Sequence, residues 1–341
     1  TWLRRQRQMC IRDSYKLDRR KKNPIYLQTL KAFSRANILE GVHTLFFPGG
    51  TRSRSGAIEE HLKLGLVGTV MEAQRINCER DKENPKKIFI VPLCMSYHFV
   101  LEANSLIDEH LKKTGKELYI TIDDEFSQTN KIAQFLWSVY KETSEISLSF
   151  GEPLDLFGNS VDEDGNSLDN RGNIINISHF FSYKGEITQD EQREQEYTRQ
   201  LGERVLKEFH RINVVYASHL VAFVAFQILF KEHPKTELYS FLKIPPQNLE
   251  IEYDRFKSVT ADVMAELFNM KKQGKVLLAP HLEQKIEDVI EYGLKNIGIY
   301  HAVDAIKRKG DKIITENLKL LYFYHNRLSG YDLERVIKRQ K

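Results

Sequence analysis

The chain has 341 residues, 41% hydrophobic and 29% charged, a balance that fits a globular protein and excludes a disordered one. Its 51 basic and 47 acidic residues leave a net charge of +4, too small to imply nucleic-acid binding. Three cysteines, Cys10, Cys78 and Cys94, have no paired spacing, which argues against a disulfide framework or a zinc site and suits a reducing compartment.

The chain opens on Thr1 rather than Met, so it reads as part of something longer. Met9-Cys10-Ile11-Arg12-Asp13-Ser14 resembles translated sequencing-adapter residue, and residues 1–14 are set aside as a non-native leader. No signal-peptide pattern is visible, and no stretch reaches the ~18 clean apolar residues that a membrane span needs. Residues 4–22 are strongly basic. The spacing of Ile25, Leu27, Leu30, Phe33 and Ile38 predicts a helix over 23–39, with Pro24 in its first turn and Gly41 ending it. Residues 42–47 read as a buried strand, stopped by Pro48. A helix is expected over 59–75, where Gly65 and Gly68 each cost about 1 kcal/mol against Ala, and close packing is the expected compensation.

The apolar run 88–95 predicts a strand buried on both faces, with Pro92 where it reaches an edge or opens onto a site. Further strands are expected at 118–122 and 146–150, with a helix over 131–140 between them. Strands alternating with helices indicate an α/β class. Within 158–177, Asp162, Asp164 and Asn166 suggest a calcium loop, but its sixth position is Ser167 and its twelfth Asn173, so tight turns or a hairpin are expected. Beyond residue 188 the pattern is helical: an amphipathic helix over 190–210, a buried apolar helix over 214–230, a boundary at Pro245-Pro246, and shorter helices to residue 333. The expected organisation is an α/β core over 15–157, built on a mixed sheet flanked by helices. A hairpin-like insertion over 158–185 and a mainly helical region over 186–341 follow.

One stretch carries chemistry. Gly49 and Gly50 let the backbone turn and approach a ligand, and Thr51, Arg52, Ser53, Arg54 and Ser55 then interleave hydroxyls with guanidinium groups. Backbone N–H groups, planar arginine forks and hydroxyls are what phosphate capture needs. A basic, solvated surface turn would have the same composition.

Residues 47–56 resemble the third conserved block of the glycerolipid acyltransferases. Arg19-Arg20 with Asn23-Pro24-Ile25-Tyr26-Leu27 resembles their second block. Ile90-Val91-Pro92-Leu93, continuing to Ser96-Tyr97 and Glu102, is similar to the fourth. Leu320-Leu321-Tyr322-Phe323-Tyr324-His325-Asn326-Arg327 and Ser218-His219-Leu220-Val221-Ala222 resemble helices of the glycerol-3-phosphate acyltransferase branch. The resemblance implies fatty acyl transfer from acyl-CoA or acyl-carrier protein, as co-substrate, to the sn-1 hydroxyl of glycerol 3-phosphate in phospholipid biosynthesis. It implies no metal and no other cofactor, and peripheral association with the cytoplasmic side of a membrane. Arg19, Arg20, Gly49, Gly50, Thr51, Arg52, Ser53, Arg54 and Ser55 would hold the acceptor, with Pro92 on the acyl side. Two departures stand out. Gly49 occupies a position where the family carries glutamate. None of the 11 histidines has aspartate five residues on, so the family's catalytic His-x-x-x-x-Asp pair is expected in sequence this chain does not contain. Acylation of 1-acylglycerol 3-phosphate or dihydroxyacetone phosphate is the alternative within the family. A non-catalytic membrane-surface or phosphate-binding module, held at a bilayer by the basic segment and the 214–230 helix, is the alternative outside it.

Overall fold

The computed structural model describes residues 18, 21, 23–50, 53–114, 145–246, 249–297, 301 and 303–337. Residues 1–14, the expected strand at 118–122, the expected helix at 131–140, and Arg19, Arg20, Thr51 and Arg52 lie outside them. The fold is mixed α/β. It forms two compact units interleaved in sequence, with boundaries other than the sequential ones expected: residues 1–46, 63–88 and 176–198 in one, and 47–62, 89–175 and 199–341 in the other.

In the first unit, helix α1 (Pro24–Leu39) begins where the Asn23 side chain accepts the Ile25 N–H and Pro24 takes a position needing no donor. It packs on helix α2 (Gly65–Arg80), with Ser34 and Thr69 hydroxyls 3.2 Å apart at the contact. Where a Cβ would stand on Gly65 or Gly68 there is no neighbour within 4 Å. Among the described residues the close packing expected to offset these glycines is therefore absent, because the buried face of α2 is carried by Val67, Val70, Met71 and Ala73. Arg75 on α2 is buried and pairs with the buried Glu194 at 2.8 Å.

In the second unit, strand β1 (Leu93–Tyr97) pairs antiparallel with β2 (Ile146–Phe150), Met95 opposite Leu148. Only one face is covered: Cys94 and Ser96 are buried, whereas Met95, Ile146, Leu148 and Phe150 are exposed. The strand is not buried on both faces as expected, since among the described residues this sheet has two strands and nothing lies over its outer face. Residues 42–47 likewise form no ladder, and Leu45 and Phe47 are exposed. The described strands pair in twos and threes, and the larger mixed sheet that was expected is not among them.

Three consecutive turns follow β2. Asp155, Asp162 and Asp169 stand seven residues apart, each with glycine three residues on and asparagine four residues on. Each carboxylate accepts two backbone N–H groups on one oxygen and the asparagine amide on the other, at 2.7–3.1 Å. The glycines take φ of +82°, +77° and +82°. Short antiparallel pairings link the rows, ending in β3 (Ser167–Leu168) against β4 (Ile174–Ile175). Hairpin β5 (Ser182–Tyr183) and β6 (Glu186–Ile187) leads to helix α4 (Glu191–Arg211), and β7 (Val214–Val215) leads to helix α5 (Ala217–Lys231).

Every residue of α5 from 217 to 229 is buried, so it forms the core of the second unit. After the short α6 (Leu238–Phe241) and strand β8 (Glu250–Glu252), helices α7 (Tyr253–Lys272), α8 (Ile286–Asn296) and α9 (Leu318–His325) pack around it. Strand β9 (Leu277–Leu278) pairs in parallel with β7, and β10 (Ile306–Lys309) and β11 (Lys312–Thr315) extend from β8. Burial of α5 removes it as a bilayer contact. Among the described residues no helix is long and apolar enough to cross a membrane.

Candidate functional site

The loop after Pro48 is built from the backbone outward. The Gly50 N–H bonds the Phe47 carbonyl at 2.9 Å, closing a turn with Pro48 in its second position. Gly50 takes φ +76°, open to glycine at little cost. Gly49 faces a carboxylate: a Cβ there would stand 2.1 Å from Oε2 of Glu59. Further on, the Ser53 hydroxyl donates to the Ala57 carbonyl at 2.9 Å and Ser55 Oγ accepts the Ala57 N–H, so both hydroxyls shape the loop itself. The Arg54 Nε lies 2.7 Å from Oε2 of Glu109 on helix α3 (Ala103–Lys113). The Arg54 guanidinium, followed by Lys113, holds the Glu109 carboxyl below its ordinary range.

The far end of this loop is docked on the end of α9. Gly56, at φ +81°, approaches so closely that a Cβ would stand 2.1 Å from the Phe323 carbonyl oxygen. The Asn326 amide donates to the Ser55 carbonyl at 2.8 Å. Its Oδ1 lies 2.9 Å from Nδ1 of His325, and Nε2 of His325 lies 2.9 Å from the Gln227 amide on α5. These roles determine the tautomer. Asn326 turns its oxygen to the ring, so Nδ1 carries the proton and Nε2 accepts from Gln227. The ring is stacked on Phe223 at 5.1 Å, and burial pushes its pKa down to about 4.

The next residue ties down the other segment. Arg327 donates to the Met95 carbonyl at 2.7 Å, to Ser96 Oγ at 3.0 Å and to Asn213 Oδ1 at 2.9 Å. Pro92, buried just before β1, accepts the Gly151 N–H on its carbonyl at 2.7 Å, so it begins the β1–β2 pairing. His219, in the first turn of α5, accepts the Tyr216 N–H on Nδ1 and meets the Tyr97 carbonyl at 3.0 Å through Nε2. Burial, with the nearby Arg327 charge, holds it well below its usual pKa, so it caps the helix as a neutral ring.

Asn326 and Arg327, adjacent at the end of α9, thus hold residues 54–56 on one side and β1 on the other. Gly49, Gly50, Ser53, Arg54 and Ser55 lie on one loop, and Pro92 leads into the strand that Arg327 grips. Glu59 and Glu109 are carboxylates against this loop that sequence reasoning missed. Neither belongs to a motif, and only the fold brings them to the loop. A cleft of about 850 Å³ runs past Glu59 and is lined also by Lys207, His210, Lys275 and Tyr331.

Among the described residues, one cluster has ligand atoms within metal-binding reach of one another: His98, Glu145 and His281, all within 4.8 Å. His98 bonds Ser218 Oγ through Nδ1 and leaves Nε2 without a partner. His281 Nε2, however, accepts the Ala217 N–H at 2.9 Å. To ligate a cation it must surrender either that bond or its ring proton, so the donor set suits a metal poorly. No family model, curated protein or solved structure matches the chain.

Proposed function

We propose that this protein is an O-acyltransferase that transfers a fatty acyl group from acyl-CoA or acyl-carrier protein to the sn-1 hydroxyl of glycerol 3-phosphate. The acceptor oxygen attacks the thioester carbonyl, the C–O bond forms, the C–S bond breaks and the thiol leaves. The protein has to supply a base for the hydroxyl proton, worth ~10²–10⁴ in rate, and an anchor that aligns the hydroxyl with the carbonyl. The anchor is the loop of residues 49–56, with Arg52 and Arg54 on the phosphate and Arg19 or Arg20 beside it. The base would be the His-x-x-x-x-Asp pair that the resemblance implies, which the 341 residues do not contain. Because the product is amphiphilic, we assign the reaction to a membrane surface, the cytoplasmic side being what the resemblance implies.

The observation that supports this reading is the junction at the end of α9. One helix terminus grips both the Gly-Arg-Ser loop and the strand after Pro92, two segments that the resemblance assigns to acceptor and acyl donor. The test is an acyl-transfer assay on the complete protein with glycerol 3-phosphate, 1-acylglycerol 3-phosphate and dihydroxyacetone phosphate as acceptors. A charge-assisted hydrogen bond contributes about 1.5–3 kcal/mol, so Arg52→Ala raises KM for glycerol 3-phosphate at least about tenfold. KM for the acyl donor changes little. Equal loss toward both substrates counts against the anchor. Phosphate binding without transfer to any acceptor favours a non-catalytic binding module.

A further inference from the structure

The buried chain Gln227–His325–Asn326–Ser55 does something that stability alone does not require. Gln227, His325 and Asn326 are buried, the His325 ring among Phe223, Phe226 and Tyr322, and in such surroundings each polar side chain costs free energy unless fully bonded. Apolar residues of the same volume would fill that space at no such cost. What they would not do is present an N–H donor at one point, 2.8 Å from the carbonyl of Ser55. The other described ties on this loop are of different kinds. Arg54–Glu109 is a partly exposed ion pair, open to screening by salt, and Gly56 against Phe323 is a steric contact without directionality.

We propose that His325 is a positioning residue for the acceptor-binding loop: its Nδ1–H orients the Asn326 amide, which holds the Ser55 carbonyl and so fixes the conformation in which Arg54 and its neighbours meet the acceptor phosphate. The assignment of the ligand rests on the acyltransferase reading, whereas the mechanical coupling does not. The ring is held from both sides. Phe223 lies parallel to it, with an angle of 1° between the planes, and Gln227 bonds its far nitrogen, so the proton on Nδ1 points one way. Asn326 then has only one amide orientation that satisfies both neighbours, with its oxygen toward the ring and its nitrogen toward the loop.

Two substitutions of nearly equal size separate positioning from packing. In His325→Asn the new amide nitrogen stands near the former Nδ1 and keeps a donor toward Asn326. In His325→Gln the new amide stands near the former Nε2 and keeps a partner for Gln227 only. With Asn326→Ala as a third variant, hydrogen–deuterium exchange of peptides covering residues 47–58 is measured on the complete protein. KM for glycerol 3-phosphate and for acyl-CoA is measured on the same variants. His325→Gln and Asn326→Ala speed exchange about three- to tenfold and raise KM for glycerol 3-phosphate by the same factor, leaving KM for acyl-CoA within about twofold. His325→Asn recovers most of the loss. If the two His325 variants alter exchange equally, the residue only fills space and the proposal is overturned. If transfer occurs but neither exchange nor KM responds, it is also overturned. If the exchange pattern is as described and no acyl transfer occurs with any acceptor, the coupling stands and the acyltransferase reading falls.

Discussion

Replacing Gly56 by alanine tests whether the loop is docked on α9 as closely as the geometry requires. Two costs arise. At φ +81° any L-residue sits in the left-handed region, at about 1–2 kcal/mol. The new methyl would also stand 2.1 Å from the Phe323 carbonyl oxygen and 3.0 Å from its carbon. That partner is backbone and cannot rotate away, so the loop or the helix end must shift, at a further ~1–3 kcal/mol typical of overpacking. Gly172 supplies the control. It has φ +82° in the third of the repeated turns, and nothing lies within 4 Å of where its Cβ would stand. Gly172→Ala therefore carries the conformational cost alone. Urea unfolding monitored by circular dichroism, with the slope checked for constancy, yields both values. Gly56→Ala is expected to be destabilised by about 1–3 kcal/mol more than Gly172→Ala. Equal destabilisation would show that the loop does not meet α9 in solution, and the positioning argument would lose its base.

The remaining predictions concern separate parts of the molecule. Arg75→Met leaves Glu194 buried without its cation and is expected to cost about 3–5 kcal/mol, most of it recovered in Arg75→Met/Glu194→Leu; a double variant no better than the single would refute the buried pair. The Glu109 carboxyl is depressed by Arg54, so its contribution is present above the ordinary glutamate range and is lost as pH falls through its lowered folded-state value. The stability gap between wild type and Glu109→Gln should accordingly close on acidification, and a gap of the same size at pH 3 would contradict the pairing. Asp162→Ala removes the acceptor for three N–H groups and should cost about 1–3 kcal/mol, and calcium should not raise the wild-type unfolding midpoint because both carboxylate oxygens are already bonded. A calcium-dependent rise would reverse that reading.

What was legible in the sequence was local. The helix beginning at Asn23-Pro24, the tight turns of Asp162 to Asn173, and the burial of the apolar helix that became α5 all follow from groups a few residues apart. Their hydrogen bonds and periodicity are complete within one segment, so composition and spacing are enough to read them. Glycine at Gly49, Gly50 and Gly56 likewise announced a loop that needs unusual backbone. The tertiary structure alone decided the rest. Apolar runs at 42–47 and 88–95 read as buried strands, but burial depends on what lies across the face, and Leu45, Phe47, Met95 and Leu148 have nothing there among the described residues. The partners that shape the loop come from scattered places: Glu59 against Gly49, Glu109 on Arg54, Phe323 beneath Gly56 and Asn326 on Ser55. Some of these pairs lie more than 250 residues apart in the chain. No motif spacing encodes such contacts, because they arise only when the packing of α9 on α5 and of α3 on α9 brings those residues to the same place.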